Sequence, residues 1–490
     1  MEKPKRKINQ PISSEKIIIN ENIILDIGKL ADELGYKVYV VGGYIRDYFL
    51  DRPREDFDFT VIGDSIAFAK KLATHFNTKP IIYPKFRTAL VPVQGMKLEF
   101  VGTRKEEYES DSRKPIVSGG TLEDDLKRRD FTINTMAVSI NKETFGELID
   151  IFDGKKDLDL QILRTPLEPG ITFSDDPLRI MRAARFASQL GFQIDGSALV
   201  SMSQMAERIK IVSQERISDE FFKIIKSPKP SIGIKILFET GLLNYVFPEL
   251  VKLSGVDVVE DINKRYGHKD VFLHSLQVLD NIASVSDNEW LRFVSLVHDI
   301  AKPQTKKFIK GTGWTFRGHE ELGARKMNEI FNRLKLPKDN LPYVEKLIRL
   351  HQRPMTLVDE GVTDSAVRRL AFQAGDALED LFTLCRADIT TKNPDLSAKY
   401  WNNYDIVTKK VIEVQEKDKL REFQSPVRGK EIMEICNLNP SRAVGYIKTA
   451  IEEAILDGFI PNEYEAAKKY FLENKDKWLE EYHLQTSKRE

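Results

Sequence analysis

The chain has 490 residues, 41% of them hydrophobic and 31% charged, which is the composition of a folded globular protein and not of a disordered one. Lys plus Arg and Asp plus Glu number 75 each, so bulk charge announces no polyanionic partner, and any nucleic-acid surface must be a local patch. Two cysteines without metal or disulfide spacing, a basic start with no apolar segment behind it, and no run of about 18 apolar residues argue against a secreted or membrane protein. The expected location is cytoplasmic, with no membrane partner.

In chain order, residues 1–22 read as a basic arm. A helix is expected around Ile24–Leu34, then the strand Lys37–Val41, the pair Gly42-Gly43 and a second helix through Tyr48 or Leu50. Strands follow at Asp56–Ile62 and in the runs KPIIY, TALVPV and KLEFV, with a helix over Ser65–His75. The stretch Thr103–Gly120 is polar, carries Pro115 and Gly119-Gly120, and reads as a loop. Helical structure resumes over Glu123–Asn134. From Asp175 onward helical periodicity dominates, broken at Ser227-Pro228, Phe247-Pro248 and Ser425-Pro426. The expected fold class is an α/β head with a mixed sheet (23–165) followed by a mostly α-helical body, divided into a neck (166–250), a helical domain (251–400) and a tail (401–490).

The chemistry concentrates first in the head. Gly42-Gly43 stands between a strand and a helix, where a helix N-terminus offers free N–H groups to a phosphate, and Arg46 lies one turn on. Asp56 and Asp58 are two apart in an extended segment, so both carboxylates leave one face. Such a pair suits Mg²⁺, which takes a few carboxylate oxygens plus substrate phosphates. Glu99, in LEFVGTR, is a candidate third acid. Asp176 and Arg179, three apart, are expected on one helix face, where a carboxylate and a guanidinium together imitate a complementary base. They would accept cytosine or adenine and reject uracil and guanine.

The segment VVGGYIRDYFL…REDFDFTVIG, then DDLKRRDFTINTMAV (Asp124–Val138) and DDPLRIMRAARFASQLGF (Asp175–Phe192), resembles the class II tRNA nucleotidyltransferase and bacterial poly(A) polymerase family over about residues 25–470. The resemblance implies a polymerase-beta-like head that transfers nucleotides from CTP and ATP to the 3′ end of tRNA without a template. Gly42, Gly43 and Arg46 match residues that hold the triphosphate. Asp56 and Asp58 match the metal-binding pair, and Glu99 the acid that helps activate the primer hydroxyl. Arg129 and Asp130 match residues touching triphosphate and ribose, and Asp176 with Arg179 the amino-acid template. The family usually has Glu-Asp where this chain has Asp175-Asp176. The stretch Thr103–Gly120 resembles a loop that helps switch from cytosine to adenine addition, which argues against an enzyme restricted to cytosine. The shared motifs do not separate CCA addition from poly(A) synthesis. A third reading is a phosphohydrolase whose head only binds RNA.

The body carries a second constellation. His274, His298-Asp299 and Asp388 follow the H…HD…D order of the HD phosphohydrolase superfamily, and His319 and His351 match the extra histidines of its binuclear members. Imidazoles with carboxylates suit a divalent transition metal such as Mn²⁺ or Ni²⁺, or Mg²⁺. The implied activity is hydrolysis of phosphomonoesters or cyclic phosphodiesters. His268 precedes the motif and reads as a supporting or surface residue. In the tail, Pro440 and Gly445 open an amphipathic helix bearing Lys448. This helix and the stretch Arg208–Lys226 are candidates for contact with the RNA backbone.

Overall fold

A computed structural model describes residues 16–54, 57–107, 116–256, 270–310, 313–359, 363–391, 393–418 and 425–487. Asp56 and His268 therefore lie outside the described residues. The chain divides into two compact units after Val251.

The first unit opens with α1 (Asn22–Leu34), β1 (Lys37–Val41), α2 (Gly43–Phe49), β2 (Phe57–Ile62), α3 (Ser65–His75), β3 (Ile81–Tyr83), β4 (Thr88–Val93) and β5 (Met96–Gly102). In α1 the apolar residues Ile23, Ile24, Ile27, Leu30 and Ala31 make one buried stripe, and Gly35 closes the helix at φ 73°. In the basic arm Ile17 and Ile19 are buried, and Lys16 bridges to Glu147.

Next come β6 (Arg104–Glu107), β7 (Ile116–Gly119), α4 (Leu122–Lys127), β8 (Ala137–Ser139), β9 (Leu148–Ile149), α5 (Gly154–Asp159) and β10 (Ile162–Leu163). Seven strands form one mixed sheet in the order β3-β4-β5-β2-β1-β8-β9, with only β2 and β5 parallel. The segment read as a loop instead has an antiparallel stem, β6 on β7, pairing Arg104 with Gly119 and Glu107 with Ile116. Its polar composition hid strands whose pairing is made by the backbone. Residues 108–115 lie outside the described residues.

The sheet has an apolar face and a polar one. On the first, the rings of Phe59 and Phe100 stack at 4.8 Å, and Phe68 from α3 meets Phe100 at 5.6 Å. On the other, Thr60 donates to the buried Asp125 of α4 at 3.0 Å. Helices complete the unit: α6 (Pro169–Asp175), α7 (Leu178–Leu190), α8 (Gly196–Gln204), α9 (Gln214–Ile225), α10 (Pro230–Glu239), α11 (Leu243–Val246) and α12 (Pro248–Val251), with β11 (Gln193–Ile194) pairing parallel to β10.

The second unit is helical: α13 (Val271–Ala283), α14 (Glu289–Val297), α15 (Lys302–Thr305), α16 (His319–Leu334), α17 (Leu341–Leu350), α18 (Arg353–Asp359), α19 (Asp364–Ala374), α20 (Leu378–Ala387), α21 (Pro394–Asp418), α22 (Gly429–Cys436), α23 (Arg442–Leu456) and α24 (Tyr464–Ser487). Its one described sheet is a hairpin of β12 (Lys307–Ile309) and β13 (Gly313–Thr315). At the C-terminal end Val427, Ile432, Ile447, Ile451 and Phe471 make a core of their own. Among the described residues no helix is long and apolar enough to cross a membrane.

Phe100 is fully buried between Phe59 and Phe68. Phe100→Ala is expected to cost the first unit about 3–5 kcal/mol, read as an earlier urea transition. A midpoint unchanged from the parent would show that this stack does not hold the sheet.

Candidate active site and metal centre

The polar face of the sheet gathers the head's predicted residues. Asp58 on β2 and Glu99 on β5 are register partners on neighbouring parallel strands, so their side chains stand side by side. Burial, followed by the charge of Asp58, raises the pKa of Glu99 against the pull of Arg104, Arg129 and Arg128. Two carboxylates in that position repel, and a cation between them relieves the repulsion. Asp58 also pairs across β1 with Val41, the residue before the glycine pair.

Gly42 is needed for two reasons. Its backbone sits at φ +74°, and a Cβ there would come within 2.9 Å of Arg129 Nη1 and 3.8 Å of Asp58 Oδ2. The glycine turn, Asp58 and Arg129 are therefore in one place. The Nε of Arg129 is buried and has no acceptor among the described residues, which fits an anionic ligand. Arg46 donates from Nε and Nη2 to Asp47 at 3.0 and 2.7 Å, and from Nη1 to Asn134 at 3.0 Å.

Sequence reasoning singled out Asp130 but passed over Asp125 and Arg182, which help to hold this corner together. Asp125 is fully buried. Despite burial, Arg128 and Arg129 hold its pKa below the usual carboxylate range, with Arg128 donating to it at 2.9 and 2.7 Å. Asp130 is buried and accepts from Asn134 and the Phe131 N–H on one oxygen and from Arg182 Nε at 2.7 Å on the other. Burial would raise its pKa, but Arg182 and Asn134 drive it far down. Arg182 belongs to a row on α7: Arg179 donates to the carbonyls of Thr172 and Arg128, and Arg185 to Glu220 at 3.0 Å. Arg46, Arg182 and Arg185 all pack on the ring of Phe186.

Asp176 and Arg179 do not share a helix. α6 ends at Asp175, Asp176 is extended (φ −141°, ψ 102°), and α7 begins after Pro177. Pro177 suits a first helical turn, which moves the start of α7 past Asp176. Asp176 Oδ1 accepts from the Leu178 N–H at 3.1 Å, and its Oδ2 lies 3.5 Å from Arg216. The two remain adjacent through the bond from Arg179 N–H to the Asp176 carbonyl, 3.0 Å.

In the second unit all six predicted ligands meet. His274 Nε2 is 2.8 Å from Asp388 Oδ1, His298 Nε2 is 3.2 Å from Asp299 Oδ2, and His319 Nε2 is 3.3 Å from both Asp299 Oδ1 and His351 Nε2. His298 and His351 follow the last residues of α14 and α17, and His319 begins α16. Each turns its Nδ1 to the carbonyl three residues back, on Ser295, Ile348 and Phe316, at 2.7–2.8 Å. An Nδ1–H donated there aims Nε2 at the cluster, where it can take a metal once it carries no proton, which is how an imidazole is prepared for a metal.

The donor set fits a cation. His298 Nε2 and both Asp299 oxygens are buried and make no well-directed hydrogen bond, although Lys302 Nζ stands 2.7 Å from Asp299 Oδ2 as an ion pair. The ligand atoms of His274, His298 and Asp388, and those of His298, Asp299 and His351, each lie within 4.8 Å of one another. Burial would lower the pKa of His298, but Asp299 and Asp388 push it up to about 10; burial and His298 bring His351 down to about 4. Lys302, one turn beyond the HD pair, is a contact that sequence reading missed.

Three family models match along the chain: the Poly A polymerase head domain over residues 38–164, a probable RNA- and SrmB-binding site of polymerase A over 191–253, and the HD domain over 271–390. The Multifunctional CCA protein of Methylococcus capsulatus is 32% identical over 370 residues, covering 72% of this chain and 81% of the relative. The chain belongs to the tRNA nucleotidyltransferase and poly(A) polymerase family, in its HD-containing branch. The A-adding tRNA nucleotidyltransferase of Deinococcus radiodurans is 30% identical over 369 residues, covering 74% of this chain and 80% of that one. In fold it is like the Bacillus stearothermophilus CCA-adding enzyme solved with CTP, with a TM-score of 0.60 at 23% identity over 93% of this chain and 98% of that one. As a family member it is a metal-dependent nucleotidyltransferase with an HD domain in its second unit.

Chelator-stripped protein resupplied with Mn²⁺ or Ni²⁺ is expected to melt later in its second unit, by about 2.7 kcal/mol when the metal stands at 100 times its dissociation constant. Asp299→Ala should remove the increment. A stripped protein indifferent to added metal would mean that these donors hold no cation.

Proposed function

We propose that the head adds CCA, or its missing part, to tRNA 3′ ends from CTP and ATP. The observation that carries this reading is the pairing of Asp58 with Glu99 beside Gly42 and Arg129. Mg²⁺ held by Asp56, Asp58 and Glu99 would supply the positive charge against which an RNA 3′ hydroxyl attacks the α-phosphorus and pyrophosphate departs. Arg129, with its unpaired Nε, binds the triphosphate, and Arg46 and the Gly42-Gly43 turn border it. Glu99 helps to activate the primer hydroxyl. Asp130 borders the ribose side, held there by Arg182, Asn134 and the Phe131 N–H.

Asp176 and Arg179 read the base. Arg179 has five donors, two of which go to carbonyls of the chain, so others remain for a ring acceptor. Asp176 accepts from an exocyclic amine. A mismatched base leaves a buried polar group unpaired, at about 1–3 kcal/mol each.

Relatives named for full CCA addition and for A addition alone both match, so an A-only enzyme is the second reading. Poly(A) synthesis is the third. Three tRNAs, ending at the discriminator base, C and CC, given each nucleotide separately, distinguish them. The expected result is two C and one A, with incorporation abolished by Asp58→Ala. A alone on the CC end, or long A tails, would replace the CCA reading, and an active Asp58→Ala would remove the Mg²⁺ basis of the transfer.

For the second unit the proposed activity is metal-dependent hydrolysis of phosphomonoesters or cyclic phosphodiesters. His274, His298, Asp299, His319, His351 and Asp388 would hold Mn²⁺, Ni²⁺ or Mg²⁺, which supplies the charge that activates water. Lys302 holds Asp299 in position. The proposed setting is the cytoplasm, consistent with two free cysteines. Turnover of 2′,3′-cyclic nucleotides with added metal should be lost in His298→Ala while tRNA extension continues. No turnover with any of these metals would count against a working site.

A further inference from the structure

The hairpin of β12 and β13 is an unusual object for a helical unit. Its register sets Phe308 opposite Trp314, and the two rings meet edge to face at 5.4 Å. They are nonetheless 64% and 48% exposed, which for two large aromatics on one short ribbon is a standing cost in apolar surface. Lys306 lies on the same side, its Nζ 4.8 Å from the Trp314 ring centre. Lys307, Lys310 and Arg317 are exposed around them. From Ile300 to Gly318 the chain has five basic residues and no acidic one, whereas the whole chain is neutral.

The base of this ribbon is joined to the metal cluster. Phe316, one residue past β13, gives its carbonyl to His319 Nδ1 at 2.8 Å and its ring to Lys302, whose Nζ lies 5.5 Å from the ring centre and 2.7 Å from Asp299.

Exposed aromatic faces between lysines, on a stretch of chain that carries no acid of its own, match what an unpaired nucleic-acid strand offers: bases to stack and phosphates to neutralise. We propose that this hairpin is a stacking platform for an unpaired RNA end, which it holds at the mouth of the HD cluster. Bases lie on Phe308 and Trp314, and phosphates meet Lys306 and Lys310. The HD site would then prefer a strand terminus to a free nucleotide. That preference rests on the hydrolytic reading above, whereas the binding itself does not.

Two measurements on the full chain separate these. The first compares KM for a short oligoribonucleotide ending in a 2′,3′-cyclic phosphate with KM for the matching mononucleotide. The oligonucleotide should have the lower KM, and Phe308→Ala with Trp314→Ala should raise it about ten-fold or more while leaving the mononucleotide and tRNA extension within two-fold. An oligonucleotide KM unmoved by the double variant overturns the platform and leaves the hydrolase standing. The second, ultraviolet crosslinking of the same oligonucleotide followed by peptide mapping, needs no turnover. Adducts on Phe308 or Trp314, weakened by Lys306→Glu with Lys310→Glu, are expected even if the hydrolytic reading fails. Crosslinks that avoid residues 306–316 overturn the proposal outright.

Discussion

Like charges held side by side in half-buried ground set the terms for the head. Asp58 and Glu99 are register partners on strands spaced about 4.8 Å apart, and at an effective dielectric near 20 such a pair repels by roughly 3 kcal/mol. What prevents the strands from slipping is the next rung, where Phe59 pairs with Phe100 and their rings stack. A shift of one residue would send Phe59 to the polar face and Asp58 into the core. Burying the aromatic pair is worth several kcal/mol, which exceeds the repulsion. The core on one face therefore fixes which side chains stand together on the other.

The two sites treat buried charge in opposite ways. In the head the charges around Asp130 are closed off by the chain itself: Arg182, Asn134 and a backbone N–H saturate its oxygens. Arg179 and Arg182, on one row of α7, grip the Arg128 carbonyl and the Asp130 carboxylate, which flank Arg129. Arg129 is thereby held at both shoulders while its own Nε stays unpaired. In the second unit the atoms without a well-directed hydrogen bond are His298 Nε2 and the Asp299 oxygens, although Lys302 stays ion-paired to Oδ2. A saturated buried group gives rigidity, and an unsaturated one gives affinity for what is missing.

Much of this was legible in the sequence, for physical reasons. Lys37–Val41 and Ser65–His75 were readable because apolar periodicity marks them, and the glycine pair because it stands between a strand and a helix, where the structure puts Gly42 at φ +74° close to Arg129. Asp125 and Arg182 were not, because a carboxylate inside DDLKRRD and an arginine inside LRIMRAARF look like solvated faces until tertiary structure buries them. The helix supposed to carry both Asp176 and Arg179 was misplaced even though a signal was present: Pro177 favours a start just after Asp176. Lys302 was missed because nothing local to HDIAKP says that its ammonium folds back onto Asp299.

The histidines of the second unit show why such a cluster is built from helix ends. Inside a helix every carbonyl is already taken by the N–H four residues on, so an imidazole there finds no acceptor behind it. In the last turn the carbonyls are free, and Ser295 and Ile348 give theirs to His298 and His351. His319 reaches the same arrangement from the opposite end of a helix, by taking the carbonyl of Phe316 in the segment before α16. One geometry thus arises from two kinds of terminus, and in each case it commits Nδ1 and presents Nε2. Lengthening α14 or α17 by a turn would fill those carbonyls and release the rings. The positions of the helix boundaries accordingly shape the histidine cluster as much as the identity of its residues.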